Sequence, residues 1–288
     1  MFSSATPHPL RRPFIKQAPA GIAEWAACFD AAELPVLRST SDAIEDMRVC
    51  EDAVDAHVLA DVLSNDPLMT LKVLAHVARI RAGREGTDPE TMTAALVMLG
   101  IGPFFRDFGP QPTIEDQLAD RPEALQGFCS VLDRSHRAAR FALAFAVQRM
   151  DHDAAVIHQA ALLHDFVDLL MWLRAPDLAL NVAEQQMTDG SLRTAAVQIK
   201  VFKIELPDLQ HVLMRQWHLP DLLVDIADDH RGAASAQART VLLAIRLARH
   251  TASDWNNPAL VDDVSDIAVL LNMGRQPTLD LLHDIDDH

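Results

Sequence analysis

From residue 54 onward, apolar positions recur with helical spacing. Val54, Val58, Leu59, Val62 and Leu63 follow an i, i+4, i+5 pattern, which predicts an amphipathic helix over 54–63. Asn65-Asp66-Pro67 interrupts it. Asp66 reads as the N-cap of a second helix with Pro67 at its first position, running to about Ile80 through Leu68, Leu71, Val73, Leu74 and Val77. A loop over 81–86 follows. Asp88-Pro89 then leads into a helix over 90–99 that stops at Gly100. Upstream, 22–31 is a short helix with Trp25, Ala26 and Phe29 on one side, broken by Leu34-Pro35. The stretch 108–122 holds Gly109, Pro110, Pro112 and Pro122 and reads as a hinge between two helical lobes. Beyond it the pattern predicts helices near 123–150, 153–173, 176–190, 192–204, 207–217, 220–231, 234–252, 258–272 and 278–288. There is no repeat of fixed period and no low-complexity tract.

Composition narrows this to an all-α protein. The 288 residues contain no Tyr and only 10 Gly, and aromatics make up 5%. Ala, Leu, Arg, Glu, Asp and Gln dominate, mostly good helix formers. At 49% hydrophobic the chain is long enough for a sizeable core. Residues 1–20, with Pro7, Pro9, Pro13 and Pro19, read as a flexible lead-in and not as a secretory signal. The net charge of −16 and the lack of a basic stripe argue against nucleic acid as a partner. The same charge disfavours anionic membrane surfaces. No apolar run of the length of a membrane helix is expected. Cys28, Cys50 and Cys129 are scattered and odd in number, which suggests reduced thiols in a cytoplasmic protein. Trp25, Trp172, Trp217 and Trp255 sit among apolar neighbours and read as core.

One apolar run carries chemistry. In Ala160-Ala161-Leu162-Leu163-His164-Asp165-Phe166-Val167-Asp168-Leu169-Leu170-Met171-Trp172, a His and an Asp would be costly to bury without partners. His136 lies one helix upstream. A lone His followed by His-Asp on a later helix resembles the opening of the metal-binding pattern of HD-domain phosphohydrolases. More broadly, five segments in order resemble the HDOD family, the HD-related output domains of bacterial signalling proteins. They are Leu34-Pro35-Val36-Leu37, Asn65-Asp66-Pro67-Leu68-Met69, Ala94-Ala95-Leu96-Val97-Met98-Leu99-Gly100, Ala161-Leu162-Leu163-His164-Asp165 and Arg215-Gln216-Trp217-His218-Leu219-Pro220. The chain departs from the family at Ala75-His76-Val77-Ala78, where members usually carry Asn-Ser.

The resemblance implies an HDOD-like domain over 21–252, a two-lobed helical protein. Its N-terminal helical bundle would span about 21–108, its hinge 109–122 and its HD-like lobe 123–252, followed by a C-terminal helical extension over 253–288. It also implies a regulatory module without catalytic residues that acts through a protein partner or a small ligand in the interlobe cleft. No cofactor is required by this reading.

The alternative is a metal-dependent phosphohydrolase acting on a nucleotide or cyclic dinucleotide. Its candidate metal ligands are His136, His164 and Asp165, suited to Mn, Fe or Zn. The metal would lower the pKa of a bound water for attack on phosphorus. Asp168, at i+4 from His164, could orient it from behind or equally face solvent. The closing Asp of the HD pattern should fall at Ala248 or Arg249, and an arginine there would repel a cation. If the fold puts Arg249 at the metal position, this alternative fails; Asp168, Asp225 or Asp229 folding near His164 would rescue it. The plain reading of the same residues is a buried His–Asp pair that fixes helix packing.

Four other groups carry polar chemistry. His211, Arg215 and His218 share a predicted helix face, either a polar face or extra ligands of a two-metal site. Lys200, Lys203 and Arg215 are the few cations available to hold a phosphate. Asp228-Asp229-His230 reads as a solvated helix end, and His283-Asp284 as part of a frayed acidic tail. No GxGxxG, P-loop, GxSxG or HExxH pattern occurs. Self-association through a helical surface stays open.

Overall fold

Side-chain caps start several of the helices in the computed structural model of the chain, which describes residues 13–83, 88–189, 194–227 and 235–287. The first half comprises α1 (Ile22–Ala26), α2 (Arg38–Arg48), α3 (Ala56–Leu63), α4 (Pro67–Arg81), α5 (Met92–Leu99), α6 (Ile101–Asp107) and α7 (Ile114–Gln117). The second half comprises α8 (Pro122–Gln148), α9 (Ala154–Leu163), α10 (Phe166–Arg174), α11 (Pro176–Thr188), α12 (Thr194–Phe202), α13 (Leu206–Gln216), α14 (Asp221–Ile226), α15 (Ala236–His250), α16 (Leu260–Leu271) and α17 (Arg275–Asp286). Among the described residues there is no β-strand; one parallel bridge pairs Val36 with Thr113. The fold is all-α.

Asp66 caps α4 as expected, accepting from the Leu68 and Met69 amides at 2.9 and 3.0 Å, with Pro67 at the first position. Its other oxygen accepts from the Leu37 amide at 2.7 Å, so the cap also ties α4 to the chain entering α2. Asp55, Thr91 and Ser235 cap α3, α5 and α15 in the same way.

The 27-residue α8 is the spine of the second lobe, and α9, α10, α11, α15 and α17 all pack on it. Gly127 permits the close approach of α10. A Cβ there would lie 2.5 Å from the Trp172 ring.

Three helices were not legible in the apolar pattern. α2 is mostly polar and buries only Thr40, Ser41 and Ile44. α6 starts at Ile101, with Gly102 and Pro103 in its first turn. A proline in the first turn loses no intrahelical bond, and Phe104 and Phe105 are buried behind it. α7 is a single turn within the predicted hinge, capped by Thr113.

That hinge is tied down. The Val36 amide donates to Pro112 and the Ile114 amide to Val36, both at 2.9 Å. The buried Lys72 ammonium donates to the Leu34 carbonyl at 2.7 Å and to Gln111 at 2.5 Å.

The start of the chain also sits differently from its predicted lobe. α1 packs on α13 of the second lobe. Trp25 is fully buried and its indole N–H needs an acceptor, which the Phe202 carbonyl supplies at 2.9 Å. Within the predicted lead-in, the Ile15 amide donates to Arg174 at 2.7 Å.

The C-terminal acidic segment is the helix α17 and not a frayed tail, with the His283 ring tilted against Trp255, their centroids 4.2 Å apart. Part of the 81–86 loop and the Asp228-Asp229-His230 group lie outside the described residues. Contrary to expectation, the α9–α10 stretch Ala154–Arg174 is by length and composition apolar enough to cross a membrane; 78% of its 18-residue apolar window is buried inside the protein.

Candidate functional site

His164 and Asp165 stand between two helices. α9 ends at Leu163 and α10 starts at Phe166. Asp165 takes the bridge conformation, φ −95° and ψ 20°, sparsely populated and common at functional positions. On a continuous helix the two side chains would diverge by about 100°. On this turn they meet, His164 Nδ1 lying 2.9 Å from Asp165 Oδ1. Both residues are buried.

Two arginines close on the same carboxylate. Arg134 of α8 donates from Nε to Asp165 Oδ2 at 3.0 Å. Arg249 of α15 donates from Nη2 to Asp165 Oδ1 at 2.7 Å. Arg134 reaches on to Asp168 Oδ2 at 3.3 Å, and Gln198 of α12 donates to Asp168 Oδ1 at 3.1 Å. The result is one network joining α8, the α9–α10 turn, α10, α12 and α15.

Its two carboxyls are tuned oppositely. Burial pushes Asp165 up, but Arg249, the hydrogen bond from His164 and Arg134 together hold it well below the usual carboxylate range. Asp168 is raised, first by burial and then by the charge of Asp165.

The predicted site residues divide. His164, Asp165 and Asp168 fall into this network. His136 does not. Its Nε2 lies 2.7 Å from the Asn65 carbonyl, in the turn between α3 and α4. His136 follows Arg134 by two residues, about 200° round the helix. Arg134 therefore faces Asp165 while His136 faces the first lobe. His158 of α9 lies near enough to feel it: burial and the neighbouring His136 lower the His158 pKa.

Of the two positions for the closing Asp, Ala248 is fully buried and Arg249 is the one on Asp165. His250 turns to α16 and meets the buried Asp263 at 2.6 Å. The face of His211, Arg215 and His218 does not assemble. His218 lies beyond the end of α13 in a left-handed turn, and the exposed Arg215 pairs with Asp221 at 2.5 Å. Among the described residues, no group of three or more His, Cys, Asp or Glu is placed to hold a metal ion.

Arg134 is the participant that the sequence reading missed. The signal was present, because Arg134 lies on the inward stripe of α8, three residues after Val131 and four before Ala138, both buried. An arginine on such a stripe requires a carboxylate.

The HDOD domain family model matches residues 34–233 of this chain. The fold is similar to the MmoQ response regulator of Methylococcus capsulatus str. Bath, at 21% identity and a TM-score of 0.61, covering 83% of this chain and 98% of that one. It is also similar to a virulence factor from Campylobacter jejuni subsp. jejuni, at 16% identity and a TM-score of 0.60, covering 87% of this chain and 88% of that one. No curated protein is detectably similar in sequence.

Proposed function

Because the chain belongs to the HDOD family, we propose that it is a non-catalytic regulatory module of a bacterial signalling pathway, working by binding a protein partner or a small ligand. The observation that carries the reading is the Arg249 guanidinium 2.7 Å from Asp165 Oδ1. The carboxylate that an HD enzyme would turn to a divalent cation is here turned to two arginines. A fixed positive charge at that place opposes a metal. The donor set does not fit one either, since His136 is engaged 2.7 Å away by the Asn65 carbonyl.

The His–Asp pair then acts as a structural core, with its buried charges paired and hydrogen-bonded. No cofactor belongs to this reading. In the proposal the recognition surface lies along the boundary of the two lobes, which meet where His136 contacts Asn65. The three cysteines are all free, in keeping with a reducing cytoplasm. The acidic balance of −16 turns the choice of partner away from nucleic acid and anionic membrane.

Elemental analysis of protein purified without chelator and without a metal-binding tag tests the reading. The expected result is no stoichiometric Mn, Fe or Zn, with phosphoesters left intact. Stoichiometric metal that disappears in His164→Ala would overturn it and restore the phosphohydrolase alternative.

A further inference from the structure

The C-terminal helix is shallowly seated. Of the twelve residues of α17, Thr278 and Leu282 are buried, and Leu279, Leu281 and Ile285 are partly buried against the core. It is reached through Asn272, whose φ of 52° is left-handed, a conformation asparagine tolerates better than most residues.

At its far end Asp286 makes a two-pronged ion pair with Arg137 of α8, Nε to Oδ1 and Nη2 to Oδ2, both at 2.8 Å. The Trp255 indole donates to the same carboxylate at 3.1 Å. Arg137 does a second job. It donates to the Thr251 carbonyl at 3.1 Å, the Thr251 hydroxyl at 2.7 Å and the Ala248 carbonyl at 3.5 Å. Those groups end α15, where helix carbonyls lack intrahelical partners. Arg249 stands between Ala248 and Thr251, and its guanidinium holds Asp165. One continuous set of contacts thus runs from Asp286 through Arg137 and the last turn of α15 to the buried His–Asp pair.

We propose that α17 is a releasable strap, whose Asp286–Arg137 latch clamps the last turn of α15 and so governs whether Arg249 stays on Asp165. Letting go of α17 removes the fixed partner of Arg137, loosens the α15 terminus and bares Arg137 beside the already exposed Arg140. The C-terminal end of the chain then communicates with the centre of the second lobe without any change in the first. The proposal uses the Arg249–Asp165 contact itself and stands whether or not the binding function above is correct.

Amide hydrogen exchange on the full chain tests it, comparing the wild type with Asp286→Asn and Asp286→Glu. Circular dichroism confirms that each variant is folded. In Asp286→Asn, amides of α17 and of the last turn of α15 are expected to exchange at least about tenfold faster, while α3 to α5 are unchanged. Asp286→Glu, which keeps the charge, restores part of the protection. Unchanged exchange in α17 overturns the latch. Faster exchange in α17 alone overturns the coupling to α15. Equal acceleration in every helix overturns the strap, because α17 would then open only with the whole molecule.

Discussion

At the scale of the residue, Arg249 turns on one carboxylate. It is about half exposed, and its value lies in keeping the buried Asp165 ionised. Arg249→Ala is expected to cost about 2 kcal/mol at neutral pH, the range for a charge-assisted hydrogen bond, with Arg134 still in place. The pH dependence follows from the depressed pKa of Asp165. The folded state favours the ionised form, so this stabilisation is complete above the ordinary 3.8 and is lost as the pH falls through the lower folded value. The deficit of Arg249→Ala in urea unfolding should therefore shrink below pH 3.8; a deficit that grows there would contradict the assignment. Asp168 works in the other direction. Its raised pKa means that ionising it opposes folding as the pH rises above 3.8. Measuring Asp168→Asn beside Arg249→Ala separates the two carboxyls.

At the scale of the element, the α8–α10 contact depends on an absent side chain. Gly127 lies inside a long helix, where alanine would be favoured by about 1 kcal/mol on propensity alone. The Trp172 ring leaves no room for the added methyl, with 2.5 Å to the nearest ring atoms. Gly127→Ala is expected to lose about 1–3 kcal/mol through overpacking, more than propensity returns. Thermal unfolding checks this, and a raised Tm would show that α10 can retreat. The helices with clear apolar stripes and caps, such as α3, α4 and α5, were readable from the sequence because capping and burial are local signals. The polar α2 was not, because its burial is decided by Asp66 and Gln111, which meet it from elsewhere in the chain. The break between α9 and α10 was not readable either. Apolar residues continue on both sides of His164-Asp165, and the arginines that meet Asp165 at the turn come from α8 and α15.

At the scale of the whole molecule, Lys72 joins the first lobe to the connector. Burial pushes its pKa down to about 8, from the ordinary 10.5, against the pull of Asp66. Between those values the unfolded chain binds the proton and the folded one does not, so stability rises with pH through that window. Comparing Lys72→Met with the wild type isolates this contribution. The wild type is expected to gain up to about 3 kcal/mol on the mutant between about pH 8 and about pH 10.5. A flat difference would mean that the ammonium is not desolvated. The neutral amine can still donate to Leu34 and Gln111, so the connector is expected to stay clasped at high pH. Proteolysis between Gly109 and Pro112 checks that point. The predicted hinge is thus fastened by a bridge, a cap and a buried lysine.

The sequence by itself determined that the chain is helical, where most helices begin, and that His164 and Asp165 are the pair to watch. These are consequences of spacing, capping and the cost of burying polar groups, all written in nearby residues. Only the tertiary structure decided what the pair does. That His136 faces Asn65, that Arg134 and Arg249 grip Asp165, and that Asp286 reaches back to Arg137 depend on residues 31 to 149 positions apart. Which charge meets which is fixed by how the helices rotate and pack, and helical periodicity within one segment carries no information about its neighbour's face.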